Sequence, residues 1–285
     1  MSVEAPARIP CLPFSGLSRL TIFALAIIAI TLFVCVAGSF LVTQDPYSFS
    51  ADMNEPPSAA HLLGTDDQGQ DVYSRLIVGT RLSLVYGAGA ACVALLLGAL
   101  ASLLAMSLGK AAEAALFAVI DLIRALPGIL FALTCIVAFE PGMASVILAL
   151  GVSFAPHFAM MTRATYKKQM AQPYTSAAKV LGAGKMRIAI VHVLPNILGA
   201  LITQFAIVLP RCIVSESVLS FLGLGASPET PTWGRMIASS TPYIEQAPFV
   251  ALAPIIVLSL VTFALAITGN AMRQRFDVSR RSVTL

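Results

Sequence analysis

Few side chains in this 285-residue sequence could do chemistry, and the places where they gather are informative. Asp66, Asp67 and Asp71 crowd the stretch HLLGTDDQGQDVYSRLIVGTRLSL, His61 to Leu84. A calcium loop needs oxygen ligands at alternating positions, a glycine in sixth place and a distant glutamate, and this stretch does not supply them. These acids therefore read as helix-capping and loop-fixing groups, with Thr65 or Asp66 as the amino-terminal cap. The histidines His61, His157 and His192 share no metal-ligand spacing, so no metal site is expected. His157, beside Pro156, reads as a satisfied residue inside a helix bundle. The cysteines Cys11, Cys35, Cys92, Cys135 and Cys212 form no C-x-x-C pair, and four lie in apolar runs, where a thiol acts as a small hydrophobe. No nucleophile–base constellation appears, so no catalytic residue is assigned. The phosphate loop G-x-x-x-x-G-K-[ST] is also missing: Gly109-Lys110-Ala111 and Gly184-Lys185-Met186 lack both the upstream glycine and the hydroxyl.

The elements that must hold these groups are set by composition. Only 11% of the residues are charged and 58% are hydrophobic, whereas soluble domains carry roughly 25% charged residues. The chain is predicted to be an all-α integral membrane protein. Uncharged runs long enough to cross about 30 Å of hydrocarbon extend over Leu20–Gln44, Leu82–Gly109, Pro141–Thr162, Ile188–Pro210 and Gln246–Met272. A sixth, Ala114–Phe139, is interrupted by Asp121 and Arg124, three apart and so on one helix face. The first run is too long for the apolar core of a signal peptide and reads as a retained span.

Thirteen of the 18 lysines and arginines fall on one side of a six-span scheme: Arg8, Arg19, Lys110, those from Arg163 to Arg187, and those from Arg273 to Arg281. Arg75, Arg81, Arg211 and Arg235 fall on the other side or at its boundary. The positive-inside rule then puts both termini in the cytoplasm. Because the positive charge sits in loops, it points to anionic lipid headgroups rather than nucleic acid. The expected organisation is a tail (1–19), a first helix (20–44), an external loop (45–80), a five-helix core (81–272) and a carboxy-terminal tail (273–285). Within the core lie an internal loop (164–195) and an external loop (219–247), the latter carrying GLGASPETPTWG. Glu140-Pro-Gly reads as a tight outer turn.

Inside the spans, Gly87 and Ala91, then Gly98 and Ser102, repeat at spacing four, which suits either packing within one bundle or contact with another subunit. Pro127, Pro156, Pro210 and Pro254 interrupt spans, which lipid tolerates only where neighbours or a cavity satisfy the freed carbonyls. Arg211 and Glu216 stand near the outer end of the fifth span. Their spacing of five places them roughly 140° apart on a helix, so they do not pair. Each is either a snorkelling interfacial side chain or a group on a transport pathway.

The internal loop repays a closer reading. In QPYTSAAKVLGAGKMRIAIVHVLPN, Ala177, Ala178, Val180 and Leu181 can form a short helix that Gly182 ends. A second helical piece would run from beyond Gly184 to a stop at Leu194-Pro195. On charge alone this is a basic loop lying on lipid headgroups. Its spacing, however, resembles E-A-A-x3-G-x9-I-x-L-P, the cytoplasmic loop signature of ATP-binding-cassette (ABC) importer permeases, matched at Ala177, Ala178, Gly182, Leu194 and Pro195. Ser176 stands where that family usually has glutamate, and His192 at the isoleucine position.

Two further stretches carry the likeness. His61 to Asp71 is similar to the H-P-L-G-T-D-x-x-G-R-D segment of dipeptide, oligopeptide and nickel permeases, with Leu62 and Gln70 as departures. Glu216 to Gly234 is similar to E-x-x-L-S-F-L-G-L-G followed by P-x-x-P-x-W-G. The resemblance, spanning most of His61 to Asp277, implies a C-type permease subunit with the type I importer fold. It implies that loop residues Ser176, Ala177, Ala178, Gly182, Leu194 and Pro195 form a coupling helix docked on an ATPase. The expected partners are a second, B-type permease, two cytoplasmic ATP-binding subunits that hold the ATP and Mg, and an extracytoplasmic solute-binding protein. No cofactor is expected in this chain. Around Gly223–Trp233 the external loop is expected to serve docking or an outer gate, which adds Trp233 to Arg211 and Glu216 as pathway candidates. The expected cargo is peptide, with nickel or another small solute as the alternative in the same family. A proton-driven transporter using Asp121, His157 and Glu216 would need internal repeats that the sequence lacks.

Overall fold

The computed structural model describes residues 18–138, 142–225, 227 and 229–276. Its helices are α1 (Arg19–Leu41), α2 (Val72–Leu108), α3 (Lys110–Ala125), α4 (Gly128–Ala138), α5 (Met143–Met170), α6 (Pro173–Val180), α7 (Lys185–Arg187), α8 (Leu194–Phe221), α9 (Trp233–Ser240) and α10 (Pro248–Phe276). Among the described residues, five stretches are each long and apolar enough to cross a membrane: α1, α2, α5, the continuous run Lys185–Phe221, and α10. Cys11, the basic residues Arg8, Arg280 and Arg281, Phe139, and Glu140 and Pro141 of the expected tight turn lie outside the described residues.

The sixth run, expected over Ala114–Phe139, is not one straight helix: α3 and α4 meet at 95°, as a broken span or a re-entrant loop does. Pro127 causes the break. It offers no N–H, and its ring forces Leu126 out of the helical region, to φ −97° and ψ 143°. Asp121 and Arg124 do pair, at 3.5 Å, on an exposed face of α3. The foot of α3 is fastened to α5: Glu113 meets Arg163 at 2.7 Å and Lys167 at 2.8 Å, and the Arg163 guanidinium lies 4.1 Å over the Phe117 ring.

The second helix begins before its uncharged run, at Val72 rather than Leu82. Charge had hidden the start, because Arg75 is buried against Asp66 at 3.4 Å and also donates to the Pro46 carbonyl and to Gln70. The cap is Asp71, not Thr65 or Asp66; its Oδ2 accepts the Ser74 N–H at 2.8 Å.

Close approach of helices builds the core. A methyl group on Gly98 would collide with the Ala155 carbonyl, and one on Gly87 with Ile213, while the Ser102 hydroxyl donates to the Ala159 carbonyl at 3.2 Å. The small-residue spacing thus serves packing of α2 on α5 and α8 within this chain. One apolar cluster fills the space between those helices; a second, with Val72, Leu76, Ile213, Met236 and Val250, gathers around Trp233.

Candidate functional site

At one end of the bundle the chain turns from α5 into α6. Pro173 opens α6 at a position where a missing N–H costs nothing, and the Thr175 hydroxyl donates back to the Gln172 carbonyl at 2.7 Å. At its other end Gly182 N–H donates to the Lys179 carbonyl and Ala183 N–H to the Ala178 carbonyl, both at 3.0 Å. That pair of bonds is a Schellman closure, which requires a left-handed residue, and Gly182 supplies it at φ +81°. The turn holds Ala178 and Leu194 against the core and leaves Ser176, Ala177, Gly182 and Pro195 open. Val180 and Leu181 stand 88% and 87% exposed, far more than stable burial of an aliphatic side chain would allow.

Leu194-Pro195 is not a stop, contrary to the sequence expectation. Lys185–Phe221 is continuous because the backbone widens into a π-helix over Ile188–Val193 just before the proline. An ordinary turn would drive the proline ring into the Val191 carbonyl; the wider one moves that carbonyl aside. The Asn196 side-chain amide donates to the His192 carbonyl at 2.6 Å.

The pathway candidates separate. Arg211, an exposed side chain, lies on the wall of an open cavity of about 810 Å³ between α5, α8 and α10. It is ten residues before the end of α8, roughly 15 Å along the helix. Glu216 does not snorkel: it is fully buried, and its carboxylate accepts the Ser220 hydroxyl at 2.7 Å and the Ser217 hydroxyl at 3.4 Å. Trp233 is equally buried, wedged between α2, α8 and α10, with its backbone N–H donating to the Ser83 hydroxyl at 3.1 Å and its indole N–H without a hydrogen-bond partner among the described residues. Neither residue lines the cavity. The His157 ring packs on Phe154 inside the bundle, as a packed residue rather than one of a chain of titrating groups would.

The loop around the acids is self-contained. The Asp66 carboxylate accepts the N–H groups of Gln68 and Gln70 at 3.0 and 2.9 Å, and His61 Nδ1 lies 3.0 Å from Asp71 Oδ1. Burial pushes the Asp66 carboxyl above its ordinary range, while the Gln70 N–H and the Arg75 guanidinium pull against that shift. Among the described residues no His, Cys, Asp and Glu form a group of three or more that could hold a metal ion.

Residues 94–278 match the family model of the binding-protein-dependent transport system inner membrane component. The chain belongs to that family. Within it, the permease is 34% identical to the di/tripeptide transport system permease protein DppC of Pseudomonas aeruginosa, over 86% of this chain and 83% of that one. It is 32% identical to the glutathione transport system permease protein GsiD of Pectobacterium atrosepticum, over 92% and 86%, and 33% identical to the dipeptide permease DppC of Escherichia coli, over 90% and 88%. Its fold is similar to that of a chain in an inward-facing structure of the MetNI methionine ABC transporter, with a TM-score of 0.54, 20% identity, and coverage of 70% of this chain and 96% of that one. The permease is therefore a multi-pass membrane subunit of an ABC importer with the type I permease fold, and it acts in a complex with other subunits.

Sequence reasoning missed the polar residues facing Arg211. Ser259, Thr262 and Asn270, with Ala266 between them, line the cavity from α10. Their steps of three and four residues trace one helix face in an otherwise apolar span, and that stripe was the available signal.

Proposed function

We propose that this permease carries peptides inward, with its α6 turn as the coupling element. The supporting observation is the combination at one end of the bundle: a short helix closed by Gly182 at φ +81°, with Val180 and Leu181 bare beside it. In this reading the exposed Ser176, Ala177, Gly182 and Pro195 meet a groove on a cytoplasmic ATPase, while Ala178 and Leu194 tie the turn to the core. The continuous helix from Lys185 to Phe221 then carries the movement past the cavity. Two ATP-binding subunits hold the nucleotide and Mg, a B-type permease completes the transmembrane unit, and an extracytoplasmic binding protein delivers the cargo. Peptide is favoured as cargo because relatives named for di/tripeptide, dipeptide and glutathione transport match most of the chain. The excess of lysine and arginine at the α6 end orients that end, and with it both termini, toward the cytoplasm.

Reconstitution into proteoliposomes tests the reading. The complete complex with Mg-ATP is expected to concentrate a short peptide, whereas the two permeases alone under a proton gradient are not. Concentrative uptake without the ATPase subunits would reject it.

A further inference from the structure

The cavity between α5, α8 and α10 carries chemistry that the α6 turn does not use. Among the described residues Arg211 is the one charged side chain on its wall; Ser215, Ser259, Thr262 and Asn270 supply the other polar side chains, between apolar residues such as Phe154 and Phe263. Arg211 forms no ion pair among the described residues, and Glu216, the nearest acid in sequence, is turned into its own pair of serines. A cavity with a cation, neutral hydrogen-bonding groups and no acid favours one end of a zwitterion over the other. The guanidinium presents a planar fork of donors that fits a carboxylate with two parallel bonds. Hydroxyl and amide groups both donate and accept, so they suit a peptide unit without selecting charge. A volume of about 810 Å³ falls within the roughly 300–1,000 Å³ usual for small-ligand sites, room for a short peptide.

We propose that Arg211 is a substrate-contacting residue of this cavity that recognises the free carboxylate of its cargo, with the α10 stripe Ser259, Thr262 and Asn270 meeting the peptide backbone. This rests on the importer reading above. It makes the membrane subunit itself selective for carboxylate-bearing solutes, in addition to any choice made by a binding protein.

The test uses the complete complex in detergent, without binding protein, and radiolabelled alanyl-alanine or its C-terminal amide in equilibrium dialysis. Arg211→Gln is expected to weaken retention of the free acid at least tenfold, about 1.4 kcal/mol, and to leave the amide unchanged. Arg211→Lys, which keeps the charge and loses the fork, should fall between. ATP-dependent uptake of alanyl-alanine by the wild-type complex is measured in parallel. If uptake occurs but acid and amide respond alike to Arg211→Gln, or neither responds, the carboxylate assignment is overturned while the importer reading stands. Equal loss of both peptides together with loss of the sister permease on purification would assign Arg211 to an inter-subunit pair instead. Absence of uptake in the wild type, with ATPases active, counts against the importer reading itself.

Discussion

Gly64 and Gly182 hold nearly the same backbone angle, φ +74° and +81°, in surroundings that share nothing else. A side chain on Gly64 would strike the Glu55 carbonyl and come within 2.5 Å of the Phe249 ring, whereas none of the described residues lies within 4 Å of the Cβ position of Gly182. Around Gly64 the chain bonds to itself: Thr65 bridges Asp71, Asp71 caps α2, and Asp66 holds Arg75. Around Gly182 the side chains Val180 and Leu181 face outward with nothing on them. One turn completes the permease; the other, in the reading proposed above, meets a partner beyond it. The same glycine conformation serves both, so only the occupancy around it tells the roles apart.

The sharpest way to break this contrast is to put the same side chain in both places. Gly64→Val adds roughly 1–2 kcal/mol of left-handed strain to a collision with backbone that cannot swing away. This substitution carries the largest expected effect: little membrane-inserted, monodisperse protein on fluorescence-detected gel filtration. Normal yield would show that the 45–71 loop is not the self-bonded unit described above.

Gly182→Val should behave differently. Free space lets the unattached turn relax, so yield and melting temperature stay near wild type. The strain returns when the turn must adopt its closed form on a partner; 1–2 kcal/mol then corresponds to a roughly five- to thirtyfold loss in docking. Pull-down of the ATPase from detergent extracts, with uptake measured alongside, reads this. Unchanged retention and uptake would remove the coupling role from the α6 turn.

The two regions also differ in how much of them the sequence disclosed. The α6 turn is local: a proline at its start, two alanines and a glycine at fixed spacing set its helix and its closure, so its form, including the left-handed glycine, follows from neighbours in the chain. Long apolar runs disclosed the spans for the same reason. What stayed hidden depends on distant partners. Arg75 counts as a loop charge until Asp66 and the Pro46 carbonyl are seen to bury it, and Leu194-Pro195 looks like a stop until the π-helix before it is seen. The cavity was half visible, in Arg211 on α8 but not in the facing stripe of α10, because no rule of spacing within one helix says which neighbour it will face.

The smallest expected effect comes from Ser176→Glu, which restores the carboxylate that the signature usually carries and that α6 lacks. Ser176 is the fourth residue of α6 and is exposed, so the new side chain meets no steric obstacle. A negative charge in the first turn or so of a helix is stabilising by about 0.3–1 kcal/mol, and Lys179, three residues on, adds about 0.2–0.5 kcal/mol as a surface pair. The α6 helix itself should therefore be unharmed or slightly firmer. If the turn docks on an ATPase groove with a basic residue facing position 176, retention of that subunit should be unchanged or rise up to about fivefold, the equivalent of about 1 kcal/mol. If the turn instead lies on anionic headgroups, the added charge forfeits about 1 kcal/mol of attraction and leaves the ATPase indifferent. Flotation of the purified permease with phosphatidylserine nanodiscs, beside the ATPase pull-down, separates the two. Weaker lipid association with unaltered ATPase retention would place the turn on the membrane surface, and with it the contrast between Gly64 and Gly182 would lose its second partner.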